Sequence, residues 1–76
     1  MNVQKLVRMA NQIAANFDFG GDEDRAVAGI ADHLSRFWTA AMKKEIIEHV
    51  RSGETGLTEL AARSIAVLAE QQDAAA

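Results

Sequence analysis

The 76-residue chain contains no cysteine and no proline. Without cysteine it can form neither a disulfide nor a thiolate metal site. The absence of proline argues against a loop-rich or all-β domain, in which turns commonly use that residue. No stretch approaches the roughly 18 apolar residues of a membrane helix. The N-terminus carries Lys5 and Arg8 within its apolar pattern, unlike the continuous apolar region of a signal peptide. We therefore expect a cytoplasmic protein.

Basic residues are too few for a general nucleic-acid-binding protein. The chain has 8 Lys and Arg against 11 Asp and Glu, a net charge of −3, whereas such proteins are normally basic. A basic patch could form from Lys43, Lys44 and Arg51, with or without Arg36. The intervening Glu45 and Glu48 dilute it, so a solvated helix face is the favoured interpretation.

Glycines divide an otherwise helical pattern. Gly20–Gly21 form the first break, and Gly53 and Gly56 bracket the second. Between the breaks, apolar residues recur at helical spacing. The predicted helices cover residues 3–16, from about 23 onward, 40–52, and from 59 onward.

These segments predict an all-α fold, a small three- or four-helix bundle or an orthogonal helical array. The second and third segments either join through a tight kink near Trp38–Thr39 or run on as one helix. We expect a single helical domain over residues 1–72 and a frayed tail over residues 73–76, which lack large apolar groups.

Several polar residues and glycines fit helix ends. Asn2, Asp22 and Thr58 stand where an N-cap is needed, and Gly53 suits the C-terminus of the third helix. Gly29 lies inside the second helix, where glycine costs roughly 1 kcal/mol relative to alanine. We interpret it as a site of close helix packing.

The sequence offers no catalytic, cofactor-binding or metal-binding residues. No serine has a G-x-S-x-G setting, and no phosphate-binding glycine loop is present. The acidic run at residues 22–24 lacks the calcium-loop pattern. His33 and His49 are sixteen residues apart, which is not a ligand spacing. We expect His33 at a core edge or an interface and His49 at the surface or its boundary.

Aromatic residues are scarce, at 5% of the chain, and their positions are informative. Phe37 and Trp38 are adjacent, so on a helix they point about 100° apart and one core face cannot easily hold both. Trp38 either caps the core edge or projects as an anchor for a partner, because tryptophan is enriched at binding hot spots. Phe17 and Phe19 pose the same question.

Three segments of the sequence carry a resemblance to a known family: KLVRMANQIAANF, AVAGIADHLSRFWTAAMKKEI and GETGLTELA. They resemble the small delta subunit of soluble NAD-dependent formate dehydrogenases, and the resemblance covers about residues 3–62. Its most specific pieces are MANQIA at residues 9–14 and the AVAGIADHL–x–x–FW–x–x–x–M pattern at residues 26–42. Members of this family often have proline before the last helix, where this chain has Thr58–Glu59, a difference that affects only how the helix starts.

The resemblance implies a non-catalytic accessory subunit. Enzymes of this kind oxidise formate to carbon dioxide and pass the electrons to NAD. Their large subunit holds bis-molybdopterin guanine dinucleotide with molybdenum or tungsten and iron–sulfur clusters, and other subunits carry further clusters, FMN and the NAD site. The delta subunit binds no cofactor and associates with the large catalytic subunit, supporting assembly, cofactor insertion or stability of the complex.

We therefore expect helix-face docking on that large subunit. The alternative from composition alone is a free-standing helical regulatory or nucleic-acid-binding module. Within the matching motifs, the residues predicted to bind the partner are Asn11, Phe17, His33, Arg36, Phe37, Trp38 and Met42.

Overall fold

The computed structural model describes residues 2–18, 21–53 and 56–75, with the side chains of residues 73–75 left out. Phe19 and Gly20 thus lie outside the described residues. The helices are α1 (Val3–Phe17), α2 (Glu23–Phe37), α3 (Ala40–Arg51) and α4 (Glu59–Ala75). The described part of the chain has no strand, so the all-α prediction is confirmed. The domain boundary at residue 72 and the frayed tail stay predictions.

Local side-chain hydrogen bonds set the starts of the helices. The Asn2 and Asp22 side chains each accept from the backbone N–H two residues later, at 2.9 and 3.0 Å. The Thr58 hydroxyl oxygen accepts from the N–H three residues later, at 3.2 Å. Gly53 follows α3 with a φ of +81°, a conformation that glycine adopts without a Cβ penalty. All four predicted caps are confirmed.

Helices α2 and α3 are separate. Trp38 has a ψ of 143°, an extended conformation that ends α2 after Phe37. The next residue, Thr39, is the N-cap of α3, because its hydroxyl oxygen accepts a hydrogen bond from the N–H of Met42 at 3.2 Å. The tight connection at Trp38–Thr39 is therefore the correct alternative, and the continuous helix is wrong.

Helices α1 and α4 each pack against all the other helices. The most extensive packing joins α2 to α4, whereas α2 and α3 contact each other least. The core draws on every helix, because each contributes an apolar stripe. Its largest fully buried apolar side chains are Leu6, Ile30, Leu34, Ile46, Ile65 and Leu68.

His49 is buried, at 8% exposed, so the expectation that it lies at the surface or boundary is wrong. It follows the fully buried Ile46 by three residues, and positions three and four apart share one face of a helix. The charged neighbours Glu48 and Arg51 suggest a surface position for His49, whereas its spacing from Ile46 places it on the buried side of α3.

A surface ion-pair cluster joins the first turn of α2 to α4. Nitrogen atoms of the Arg63 guanidinium lie 2.6 Å from a Glu23 carboxylate oxygen and 3.1 Å from one of Asp24. Hydrogen bonds to Asp24 and Glu23 raise the pKa of Arg63 above its ordinary value. Any stability linked to this shift is present below the ordinary pKa of arginine and is lost only as the pH rises past it, so Arg63 stays charged at physiological pH.

Candidate partner-binding surface

Three rings form a continuous row where α1 meets α2. The centroid of the His33 ring lies 4.7 Å from that of Phe37, with a tilted geometry, and 6.2 Å from that of Phe17, with an edge-to-face geometry. These separations are typical of interacting aromatic rings. We call Phe17, His33 and Phe37 the aromatic row.

The helical repeat and one glycine position this row. His33 and Phe37 are four residues apart on α2, so they are neighbours on one side of that helix. Phe17, the last residue of α1, packs over Gly29, four residues before His33. A Cβ atom on Gly29 would lie 2.9 Å from the Phe17 ring, closer than ordinary contact. The interpretation of Gly29 as a close-packing site is therefore confirmed.

Phe37 and Trp38 have opposite environments. Phe37 is 71% exposed and Trp38 is 6% exposed within the core. Trp38 thus belongs to the core, and the alternative in which it projects as an anchor is wrong. The sequence carried a signal for this outcome: Ala31, Leu34 and Trp38 follow one another at spacings of three and four, which places Trp38 on the buried stripe of α2.

Asn11, predicted to bind the partner, makes two hydrogen bonds within the chain. Its side-chain amide nitrogen donates to the carbonyl oxygen of Gly56, and its Oδ1 accepts from the N–H of Thr58, both at 2.9 Å. Asn11 thereby fastens the start of α4 to α1 across more than 40 residues of sequence. A helical pattern does not predict such a contact, because the asparagine is on the flank of α1.

The two remaining residues predicted to bind the partner are Arg36 and Met42. Arg36 is exposed, and its Nε atom lies 3.1 Å from a carboxylate oxygen of Asp32, one turn earlier on α2. Such surface pairs contribute little to stability. Met42 is half-buried and packs against the core. The structure therefore brings together Phe17, His33 and Phe37, while Trp38 and Met42 are engaged with the core.

One side of α1, at Met9 and Ile13, is apolar and half-buried. The sequence does not predict that this side is part of the surface. Met9 and Ile13 pack against the core but remain partly exposed. They precede Phe17 at intervals of four residues, so the three form a single ridge along α1. This spacing by itself predicts a core stripe, because periodicity alone does not distinguish the centre of a buried face from its edge.

The described residues offer little to the other functional classes. No group of three or more His, Asp or Glu side chains among them is arranged to hold a metal ion. Within the same residues, no helix has the length and apolarity needed to cross a membrane. In the predicted basic patch, Lys43 directs its Nζ atom to the Ser35 carbonyl oxygen at 3.3 Å, so this ammonium already has an intramolecular partner.

Comparison with known proteins identifies one family. Residues 5–65 match the family described as the NADH-dependent formate dehydrogenase delta subunit FdsD. No curated protein and no solved structure matches significantly. The matched range includes all of the aromatic row and most of the core. The chain therefore belongs to the delta-subunit family of NADH-dependent formate dehydrogenases.

Proposed function

We propose that this chain is a non-catalytic accessory subunit of a cytoplasmic NAD-dependent formate dehydrogenase of the molybdenum or tungsten type. In this proposal it docks on the large catalytic subunit and supports assembly of the complex, insertion of its cofactor, or its stability. The bis-molybdopterin guanine dinucleotide, iron–sulfur clusters, FMN and NAD are assigned to the other subunits. The chain contains no cysteine to ligate a cluster.

The observation that carries the proposal is the exposure of Phe37. A phenylalanine that is 71% exposed and in tilted contact with a second ring leaves an apolar surface in water. Full burial of such a side chain contributes about 1.5–3 kcal/mol, and buried aromatic anchors dominate binding energy at many interfaces. In a family named for a subunit, docking on another subunit is the natural use of this surface.

Two serine hydroxyl groups are hydrogen-bonded to helix carbonyl oxygens, which supports a non-catalytic role for these side chains. The Ser64 hydroxyl donates to the carbonyl oxygen of Leu60 and that of Ser52 to the carbonyl oxygen of His49, both at 2.8 Å. Ser64 is fully buried. A catalytic serine instead requires a neighbouring base and access to substrate. These two hydroxyls satisfy helix carbonyls.

The test is co-expression of the tagged chain with the other enzyme subunits, followed by affinity capture and an assay of formate-dependent NADH formation. We expect the wild-type chain to retain the large subunit and the activity. Phe37→Ser should lose most of the captured large subunit while the isolated variant remains folded. Ala28→Ser is the matched control, because Ala28 is exposed on the same helix and lies nine residues from Phe37, on the opposite side.

A second measurement separates the proposed roles. The large subunit is expressed without this chain, and its molybdenum or tungsten content and thermal inactivation are compared with those of the complete complex. Loss of metal would indicate a role in cofactor insertion, and normal metal content with faster inactivation would indicate a stabilising role. Capture of no large subunit by the wild-type chain would refute the proposal.

A further inference from the structure

We infer that the docking surface extends from the aromatic row along the outer face of α1, and that it fits a protein surface with an apolar pocket bordered by carboxylates. This inference rests on the proposed function, because it specifies the chemistry of the partner subunit at the same site. It adds two cations of α1, Lys5 and Arg8, to the residues that engage the partner.

The ridge on α1 connects these cations to the aromatic row. Lys5, Met9, Ile13 and Phe17 stand at intervals of four residues, so they lie along one side of the helix. Met9, Ile13 and Phe17 are half-buried, and Lys5 is exposed. Phe17 then contacts His33 of α2. One surface strip therefore runs from a lysine through apolar side chains to the exposed Phe37.

A second line of polar residues runs beside this ridge. Arg8, Gln12 and Asn16 are also four residues apart, and all three are exposed. The residues of α1 include no aspartate or glutamate, although the chain as a whole has a net charge of −3 and each of the other helices carries carboxylates. The solvent face of α1 is thus purely cationic or neutral.

This charge distribution selects the class of partner. Apolar contact on a row of rings favours a protein surface with a matching pocket. Carboxylates on that surface would complement Lys5 and Arg8, accelerate association and make it dependent on salt. A second copy of this chain fits less well, because its α1 presents no carboxylate to Lys5 and Arg8 of the first copy.

In the experiment the large subunit is immobilised on a sensor surface. The association rate of the purified chain is then measured over a range of salt concentrations. The test variant carries Lys5→Glu and Arg8→Glu. The control carries Lys44→Glu and Arg51→Glu, two exposed positions on α3 that produce the same change in net charge. The α1 variant should associate about tenfold more slowly than wild type, with a flatter salt dependence. The α3 variant should stay within about threefold of wild type.

The outcomes separate this inference from the proposed function. If Phe37→Ser weakens binding but the α1 variant binds like the α3 control, the acidic partner surface is wrong and the docking proposal stands. If wild type does not bind the large subunit at all, the proposed function fails. Two other outcomes would also overturn the inference. One is sedimentation of the isolated chain as a dimer that the α1 variant disrupts. The other is binding of the chain to duplex DNA that the α1 variant abolishes.

Discussion

Replacement of Trp38 by alanine should destabilise the isolated chain strongly, whereas replacement of Phe37 by alanine should not. The two aromatic residues are adjacent in sequence, but Trp38 is 6% exposed and Phe37 is 71% exposed. A large-to-small substitution in a core loses both the transfer free energy of the removed atoms and the packing around the resulting cavity. A substitution at an exposed position loses little of either.

The expected magnitudes differ enough to measure. Removal of a buried tryptophan side chain costs about 3–5 kcal/mol, and the Phe37 substitution should stay within about 0.5 kcal/mol. Globular proteins have roughly 0.05–0.15 kcal/mol of stability per residue, which gives about 4–11 kcal/mol for a chain of this length. Trp38→Ala would therefore remove a large share of the total, and Trp38→Phe replaces it where a folded baseline is needed.

The assay is urea denaturation of each variant at equilibrium, monitored by far-UV circular dichroism. Trp38 is the only tryptophan in the chain, so its fluorescence can serve as a second probe for wild type and Phe37→Ala but not for the Trp38 variants. Agreement between the two probes would support a two-state transition, which the comparison of free energies of unfolding requires.

A loss below about 1 kcal/mol for Trp38→Ala, together with a loss above about 2 kcal/mol for Phe37→Ala, would refute the assignment of the two rings, since core positions carry the larger cost. Large losses in both would indicate that Phe37 packs more fully in solution than its exposure suggests. In either case the docking proposal would lose the exposed ring that supports it.

Three further substitutions test individual contacts. Gly29→Ala should gain less than the roughly 1 kcal/mol of helix propensity, because its Cβ would displace the Phe17 ring; a full gain in urea denaturation with unchanged Phe17 ring resonances would contradict this. Asn11→Ala should cost about 1 kcal/mol, because the two hydrogen bonds are lost but the exposed backbone groups of Gly56 and Thr58 can bond to water instead, and hydrogen exchange at the Thr58 amide should accelerate; unchanged exchange would argue against the contact. Thr58→Ala should cost about 1 kcal/mol through loss of the N-cap, and Thr58→Ser should restore most of the stability; failure of serine to do so would assign the loss to the methyl group.

The helix boundaries could be predicted from the sequence because their causes are local. Asn2, Asp22 and Thr58 cap helices through backbone groups two or three residues away, and such patterns are visible in a short window. Gly53 ends α3 for the same reason, since the left-handed conformation it adopts is available mainly to glycine. None of these features depends on how the helices pack.

Contacts between distant segments decide which residues form the candidate surface, so the sequence predicts only some of them. The hydrogen bonds from Asn11 span 45 and 47 residues, so no local pattern indicates them. Phe17 and His33 were predicted as interface residues, but their contact depends on the angle at which α1 crosses α2. The exposure of Phe37 likewise depends on where the core ends, which periodicity does not determine.

The same geometry explains why a chain of this size would leave an aromatic ring in water. A small domain buries a limited fraction of its surface, and every helix here contributes apolar side chains to one core. Trp38 is part of that core at the end of α2, and Phe37, one residue earlier and about 100° away around the helix axis, is directed to solvent. The Phe37 ring contacts His33, and His33 contacts Phe17. Phe17 in turn packs over Gly29. An exposed ring with such support is already oriented for a partner, and this preorganisation lowers the entropic cost of docking.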